Sequence, residues 1–142
     1  MNQTISYCRR IILAVEAYLL LVTADLAIHL TSFDKLHKLL SGIKSRRADR
    51  QIEIGRPTEG SEVRDVCRAV EAATRYYYRV RKDCLPKSLV VYYLLIRRAI
   101  PAELCIGFQK RPFIAHAWVE YRGAVLTDSA EKTKAYLVLL RA

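Results

Sequence analysis

Residues 84 to 108 decide the fold: Cys84-Leu85-Pro86-Lys87-Ser88-Leu89-Val90-Val91-Tyr92-Tyr93-Leu94-Leu95-Ile96-Arg97-Arg98-Ala99-Ile100-Pro101-Ala102-Glu103-Leu104-Cys105-Ile106-Gly107-Phe108. The first half is a helix. Pro86 is tolerated in a first turn, and Ser88 to Ile96 are apolar nearly all round, which marks a central, buried helix. Pro101 stops it. The period then changes: Leu104, Cys105, Ile106 and Phe108 read as a strand. Ala115 to Tyr121 alternate as a second strand, Val125 to Asp128 form a third, and Tyr136 to Leu140 a fourth.

Upstream of this stretch the chain is helical. Residues 8–30 lack Gly and Pro and are rich in Leu and Ala, so they read as one long helix. Residues 33–41 give a short second helix, with Phe33, Leu36, Leu39 and Leu40 on one face and Gly42 ending it. Residues 44–60 are a polar, basic linker. Ser61 is a good N-cap. It opens a third helix running to about Arg79, with Val63, Val66, Cys67, Val70 and Ala73 at helical spacing. Helices first, then an antiparallel meander, is the α+β class. The organisation read from this is a helical extension over 1–43, a linker over 44–60 and a core over 61–142.

The whole chain has 142 residues, 52% of them hydrophobic, with only 5 Gly and 4 Pro. That suits one compact domain and excludes a disordered or collagen-like chain. The net charge is +10. Basic residues cluster at Lys44, Arg46, Arg47 and Arg50, at Arg75, Arg79, Arg81 and Lys82, at Arg97 and Arg98, and at Lys110 and Arg111. No zinc-knuckle, RNP-like or helix-turn-helix pattern accompanies them, so no nucleic-acid partner is expected. Solvated helix faces or an acidic partner account for the charge.

The 4 cysteines, Cys8, Cys67, Cys84 and Cys105, show neither a disulfide framework nor a zinc spacing. Cys67 and Cys105 sit in apolar patterns as small hydrophobes. A reducing cytoplasm is the expected compartment. The run Ile11 to Val22 after Arg9 and Arg10 resembles a signal or anchor. Glu16, Asp25 and His29 interrupt or follow it, and no small-residue cleavage site is evident. A buried or partner-facing helix fits better, with poor behaviour expected of the isolated chain if its apolar face is left uncovered.

Three residues stand out for chemistry. Cys84 lies at a helix start, where amide dipoles favour negative charge and Arg81 and Lys82 add positive potential. His116 lies mid-strand. A three-residue loop Tyr121-Arg122-Gly123 would set Trp118 opposite Leu126 and His116 opposite Asp128, on one face. A two-residue loop would instead oppose His116 to Ser129. With Asp128 beside the imidazole, nucleophile, base and orienter are all present. Asp83, next to the cysteine, and Glu120, on the His116 face, compete with Asp128 for that last role. Trp118 shares the His116 face and either shields the site or packs as core. His29 and His37 belong to the outer helices, solvent-facing or capping. Among Tyr76, Tyr77 and Tyr78, which point different ways round a helix, at least one belongs to the core.

The motifs Cys84-Leu85-Pro86-Lys87-Ser88-Leu89, Ile100-Pro101-Ala102-Glu103-Leu104, Ile106-Gly107, His116-Ala117-Trp118-Val119-Glu120 and Leu126-Thr127-Asp128 follow one another at spacings that resemble one family. It is the transglutaminase-like cysteine peptidases that mature lasso peptides, the B-protein leader peptidases. The match covers roughly residues 60–142. The resemblance implies a papain-like core, a central helix packed on an antiparallel sheet, with a triad of Cys84, His116 and Asp128 and no cofactor or metal. It implies removal of the leader from a ribosomally made precursor peptide, after which an ATP-dependent macrolactam cyclase, a further partner, closes the ring. Larger members carry a winged-helix leader-recognition domain. Residues 1–60 offer only Gln51 to Ile54 as a strand, so the chain resembles the split form, served by a separate recognition protein. The same triad could also perform acyl transfer to an amine. A basic module that only binds, its activity lost or its ligand a nucleic acid, would leave the three reactive residues unexplained.

Overall fold

The computed structural model describes residues 2–30, 35, 38, 42, 60–77 and 83–142. The helix expected over 33–41 and the linker over 44–60 fall almost wholly outside these residues, as do Tyr78 and His37. The described elements are α1 (Asn2–Leu30), α2 (Gly60–Tyr76), α3 (Cys84–Arg97), β1 (Glu103–Lys110), β2 (Phe113–Tyr121), β3 (Ala124–Val125), α4 (Ala130–Thr133) and β4 (Leu137–Arg141). Helices precede an antiparallel sheet, the α+β arrangement read from the sequence.

The helices pack through apolar stripes. On α1, Leu13, Ala17, Leu21, Ala24 and Ile28 recur every three or four residues and face α2 and α3. On α2, Val63, Val66, Ala69, Val70 and Ala73 do the same. The apolar run of α3 is buried on all sides, with Leu89, Val90, Val91, Tyr92, Leu94, Leu95 and Ile96 in the core. Helix α3 ends in a Schellman cap. The Ile100 N–H bonds the Leu95 carbonyl at 3.0 Å and the Ala99 N–H bonds the Ile96 carbonyl at 3.0 Å. The residue that turns the chain is Ala99, at φ 59°, where glycine is usual.

The two acidic residues of α1 tie it to its neighbours. Glu16 pairs with Arg97 at the end of α3, and with Arg98 at 3.8 Å. Asp25 is buried and accepts the Tyr77 hydroxyl at 2.9 Å. Tyr77, just past α2, meets the Tyr18 ring edge-on at 5.8 Å and packs against the core, while Tyr76 is exposed. His29 is exposed and sits 2.8 Å, at Nδ1, from the Asp25 carbonyl oxygen. Tyr7–Leu30 is long and apolar enough to cross a bilayer by length and composition. Here one side packs on α2 and α3, while Ile12, Val15, Leu19, Leu26 and Leu30 face outward.

The strand order is β3-β2-β1-β4. The expected simple meander therefore holds for β1, β2 and β3 only. Strand β4 returns to the far side of β1 and pairs antiparallel with it, Cys105 opposite Arg141 and Phe108 opposite Leu137. On the opposite side of the sheet, the outer edge of β2 at Ala117 is met by the Cys84 and Ser88 side chains of α3. The turn between β2 and β3 also differs from expectation. Tyr121 pairs with Ala124 and Glu120 with Val125, so the loop is the two residues Arg122 and Gly123. Both have positive φ, 51° and 78°, the condition for a tight hairpin turn that matches strand twist.

Candidate active site

With that register, a continued ladder would set Ser129, not Asp128, opposite His116. The ladder does not continue. After Val125 the chain keeps one bond, Leu126 N–H to the Val119 carbonyl at 2.8 Å. The matching Val119 N–H goes instead to the Thr127 hydroxyl oxygen at 3.0 Å. The backbone is freed to bend, and strand β3 stops two residues long rather than reaching Asp128. That bend carries the Asp128 carboxylate to the imidazole: Oδ2 lies 2.7 Å from His116 Nε2. Nε2 is buried, and the approach has the distance of an ion pair without the alignment of a good hydrogen bond.

Cys84 is the first residue of α3, after Asp83, which holds the N-cap position with no side-chain cap bond. Among the described residues no strand lies beside the β2 edge at Ala117, and α3 supplies partners there. The Ala117 N–H donates to Cys84 Sγ at 3.4 Å, and the Ser88 hydroxyl donates to the Ala117 carbonyl at 2.9 Å. Sulfur, imidazole and carboxylate thus line one open polar cleft of about 390 Å³, together with Lys87, Ser88, Thr127 and Lys132.

The carboxylate is kept ionised. Burial alone would raise the Asp128 carboxyl, but the Ser129 N–H, the imidazole and Lys132 outweigh it and hold the group below its ordinary value. Lys132 Nζ stands 3.7 Å from Oδ1, and the Ser129 N–H donates to Oδ1 at 2.7 Å. Short helix α4, absent from the sequence reading, provides both ends of this arrangement. Ser129 caps it by accepting from Lys132 N–H, and its first turn brings Lys132 back toward Asp128.

Of the competing carboxylates, Glu120 turns away. It accepts from Trp118 Nε1–H at 2.8 Å and from Arg141 at 2.9 Å. The indole N–H, with Arg141, holds Glu120 below its usual value against the opposing effect of burial. Glu103, Cys105 and Glu120 bring donor atoms within 4.8 Å of one another. They do not suit a metal, because Arg141 bonds both carboxylates and burial beside Glu120 pushes the Cys105 thiol up to about 11. Burial also pushes the Cys67 thiol up. All four cysteines are free thiols.

The other face of the imidazole is aromatic. Trp118 stacks with His116 at 5.9 Å and Tyr136 lies 5.0 Å away. Gly107, opposite His116 in the sheet, makes room. A Cβ there would meet Trp118, Tyr136 and the Leu137 carbonyl, each at 3.0 Å. Tyr136, Ser88 and Thr127 were not singled out by sequence reasoning. For Ser88 there was a signal, a hydroxyl inside an apolar helix one turn after the cysteine. Tyr136 gave none, since its neighbour is reached only through the β4 return.

A Transglutaminase-like superfamily model matches residues 20–141, nearly the whole chain. The chain belongs to the transglutaminase-like superfamily. Among curated proteins it is similar to the microcin J25-processing protein McjB of Escherichia coli, with 41% identity over 49 residues. That alignment covers 34% of this chain and 24% of McjB, so the chain matches about a quarter of the curated relative's length. No solved structure is significantly similar to the chain.

Proposed function

We propose that this protein is a cysteine hydrolase that removes the leader from a lasso peptide precursor. One observation carries the chemistry: the His116–Asp128 pair at 2.7 Å opens on the same cleft as a cysteine at a helix start. The partial likeness to a microcin-processing protein supports the substrate class.

Nε2 of His116 is committed to Asp128, which leaves Nδ1 to take the proton of Cys84. Asp128, ionised, holds the ring and stabilises the imidazolium. The thiolate adds to the carbonyl of the last leader residue. The imidazolium then gives its proton to the leaving amine of the core peptide, and the leader remains as a thioester. Water, deprotonated by His116, releases the leader acid and the free thiol. The backbone N–H of Cys84 is the oxyanion donor at the helix start. A separate winged-helix recognition protein would present the leader, and the freed core amine would pass to an ATP-dependent cyclase. Four free thiols suit a reducing cytoplasm.

The test is mass spectrometry of a lasso precursor incubated with the protein, its recognition partner and a reductant. Leader and core fragments are expected with the unsubstituted protein and neither with Cys84→Ala. Equal cleavage by Cys84→Ala would refute the nucleophile, provided both proteins show the same unfolding transition.

A further inference from the structure

Three segments carry the three groups of the site: α3 the thiol, β2 the imidazole, and the bend after β3 the carboxylate. A chain of two hydroxyls ties all three. Ser88 stands one turn after Cys84, on the same side of α3. It is 1% exposed. Its one hydroxyl proton goes to the Ala117 carbonyl at 2.9 Å. The 3.4 Å contact between Ser88 Oγ and Thr127 Oγ1 must then run the other way, Thr127 donating and Ser88 accepting. Thr127 Oγ1 in turn accepts the Val119 N–H at 3.0 Å. Every proton in the chain has one acceptor, so its direction is set from β2 through Thr127 and Ser88 back to β2.

Its ends fall on Ala117 and Val119, and Ala117 is also the residue whose N–H holds Cys84 Sγ. Thr127 adjoins Asp128. We infer that Ser88 and Thr127 are positioning residues for the reaction. They register the nucleophile helix and the acid-bearing bend against the histidine strand. The relay explains why a buried hydroxyl is kept in an otherwise apolar helix, and why the β3 ladder ends where it does. It rests on the hydrolase reading of the site. A role through geometry predicts loss in turnover rather than in substrate binding, because a displacement of about 1 Å from the reacting position can cost ~100-fold.

The test uses the full chain with its recognition partner and a lasso precursor, comparing Thr127→Val, Thr127→Ser and Ser88→Ala. Thr127→Val keeps shape and removes the hydroxyl. It is expected to lower kcat about tenfold or more with KM within about twofold. Thr127→Ser, which restores the hydroxyl, is expected to recover most of kcat. The double variant Ser88→Ala/Thr127→Val should be little worse than the poorer single one, because both break one relay. Unchanged kcat in Thr127→Val, a loss confined to KM, or no recovery by serine would each overturn the inference. Iodoacetamide alkylation of Cys84 against pH gives a reading without turnover. A profile displaced in Thr127→Val and restored in Thr127→Ser supports the relay even if no precursor is cleaved, the outcome that would sink the hydrolase reading. Superimposable profiles overturn the relay.

Discussion

Helices α1 and α3 are written in nearly the same alphabet, Leu, Val, Ile and Tyr with few charges, yet they meet different surroundings. Helix α3 lies between the other helices and the sheet, so its apolar residues are covered all round. Helix α1 has one covered stripe and one bare one, with Leu21 at 0% exposure and Leu19 at 60%. Apolar composition alone therefore does not say how a helix is used. Position between layers does. It also explains the buried polar residue of each: Ser88 finds partners on the sheet edge, and Asp25 finds Tyr77 across the helix pair.

The comparison can be broken most severely by truncating matched leucines. Leu94→Ala in α3, at 0% exposure, is expected to cost about 2–5 kcal/mol. Leu19→Ala on the bare side of α1 is expected to stay within roughly 0.5 kcal/mol. Urea unfolding of both variants checks this, and equal losses would mean that α1's outer side is covered in solution. A smaller effect of opposite sign belongs to the end of α3. Ala99 adopts a left-handed conformation, so Ala99→Gly is expected to stabilise by roughly 0.5–1 kcal/mol, read in the same unfolding curves. A lower midpoint would contradict the cap.

The smallest effect sits where α3 meets the polar cleft. The Asp128 carboxyl is held below its ordinary value in the folded protein. Its contribution is therefore complete above the unfolded value of about 3.9 and lost as pH falls through the lower folded value. Asp128→Asn is expected to flatten that part of the acid unfolding profile and leave the difference between variants constant above it. An unchanged acid limb would show that the carboxyl is not stabilised in its ionised form.

The helices could be read from sequence because a period of 3.6 residues is local, and so could the strands of β1 and β2. Cys84, His116 and Asp128 were legible as residue types in order. The turn that joins the last two was misread. Arg122 accepts a positive φ in a two-residue loop, where a three-residue loop was expected. His116 and Asp128 nevertheless meet, by a bend that leaves the ladder rather than by direct opposition. That bend depends on the Thr127 hydroxyl taking a strand N–H, an exchange with no periodic signature. The β4 return was hidden for a similar reason, since its pairing with β1 joins residues far apart in the chain.

The most direct measurement is to run precursor cleavage in water enriched in oxygen-18 and weigh the leader fragment. Hydrolysis of a Cys84 thioester places one heavy oxygen in the leader's new carboxyl group and none in the core peptide, and the signal disappears with Cys84→Ala. A leader fragment joined to an amine with no heavy oxygen, or cleavage that persists without the thiol, would contradict the hydrolase.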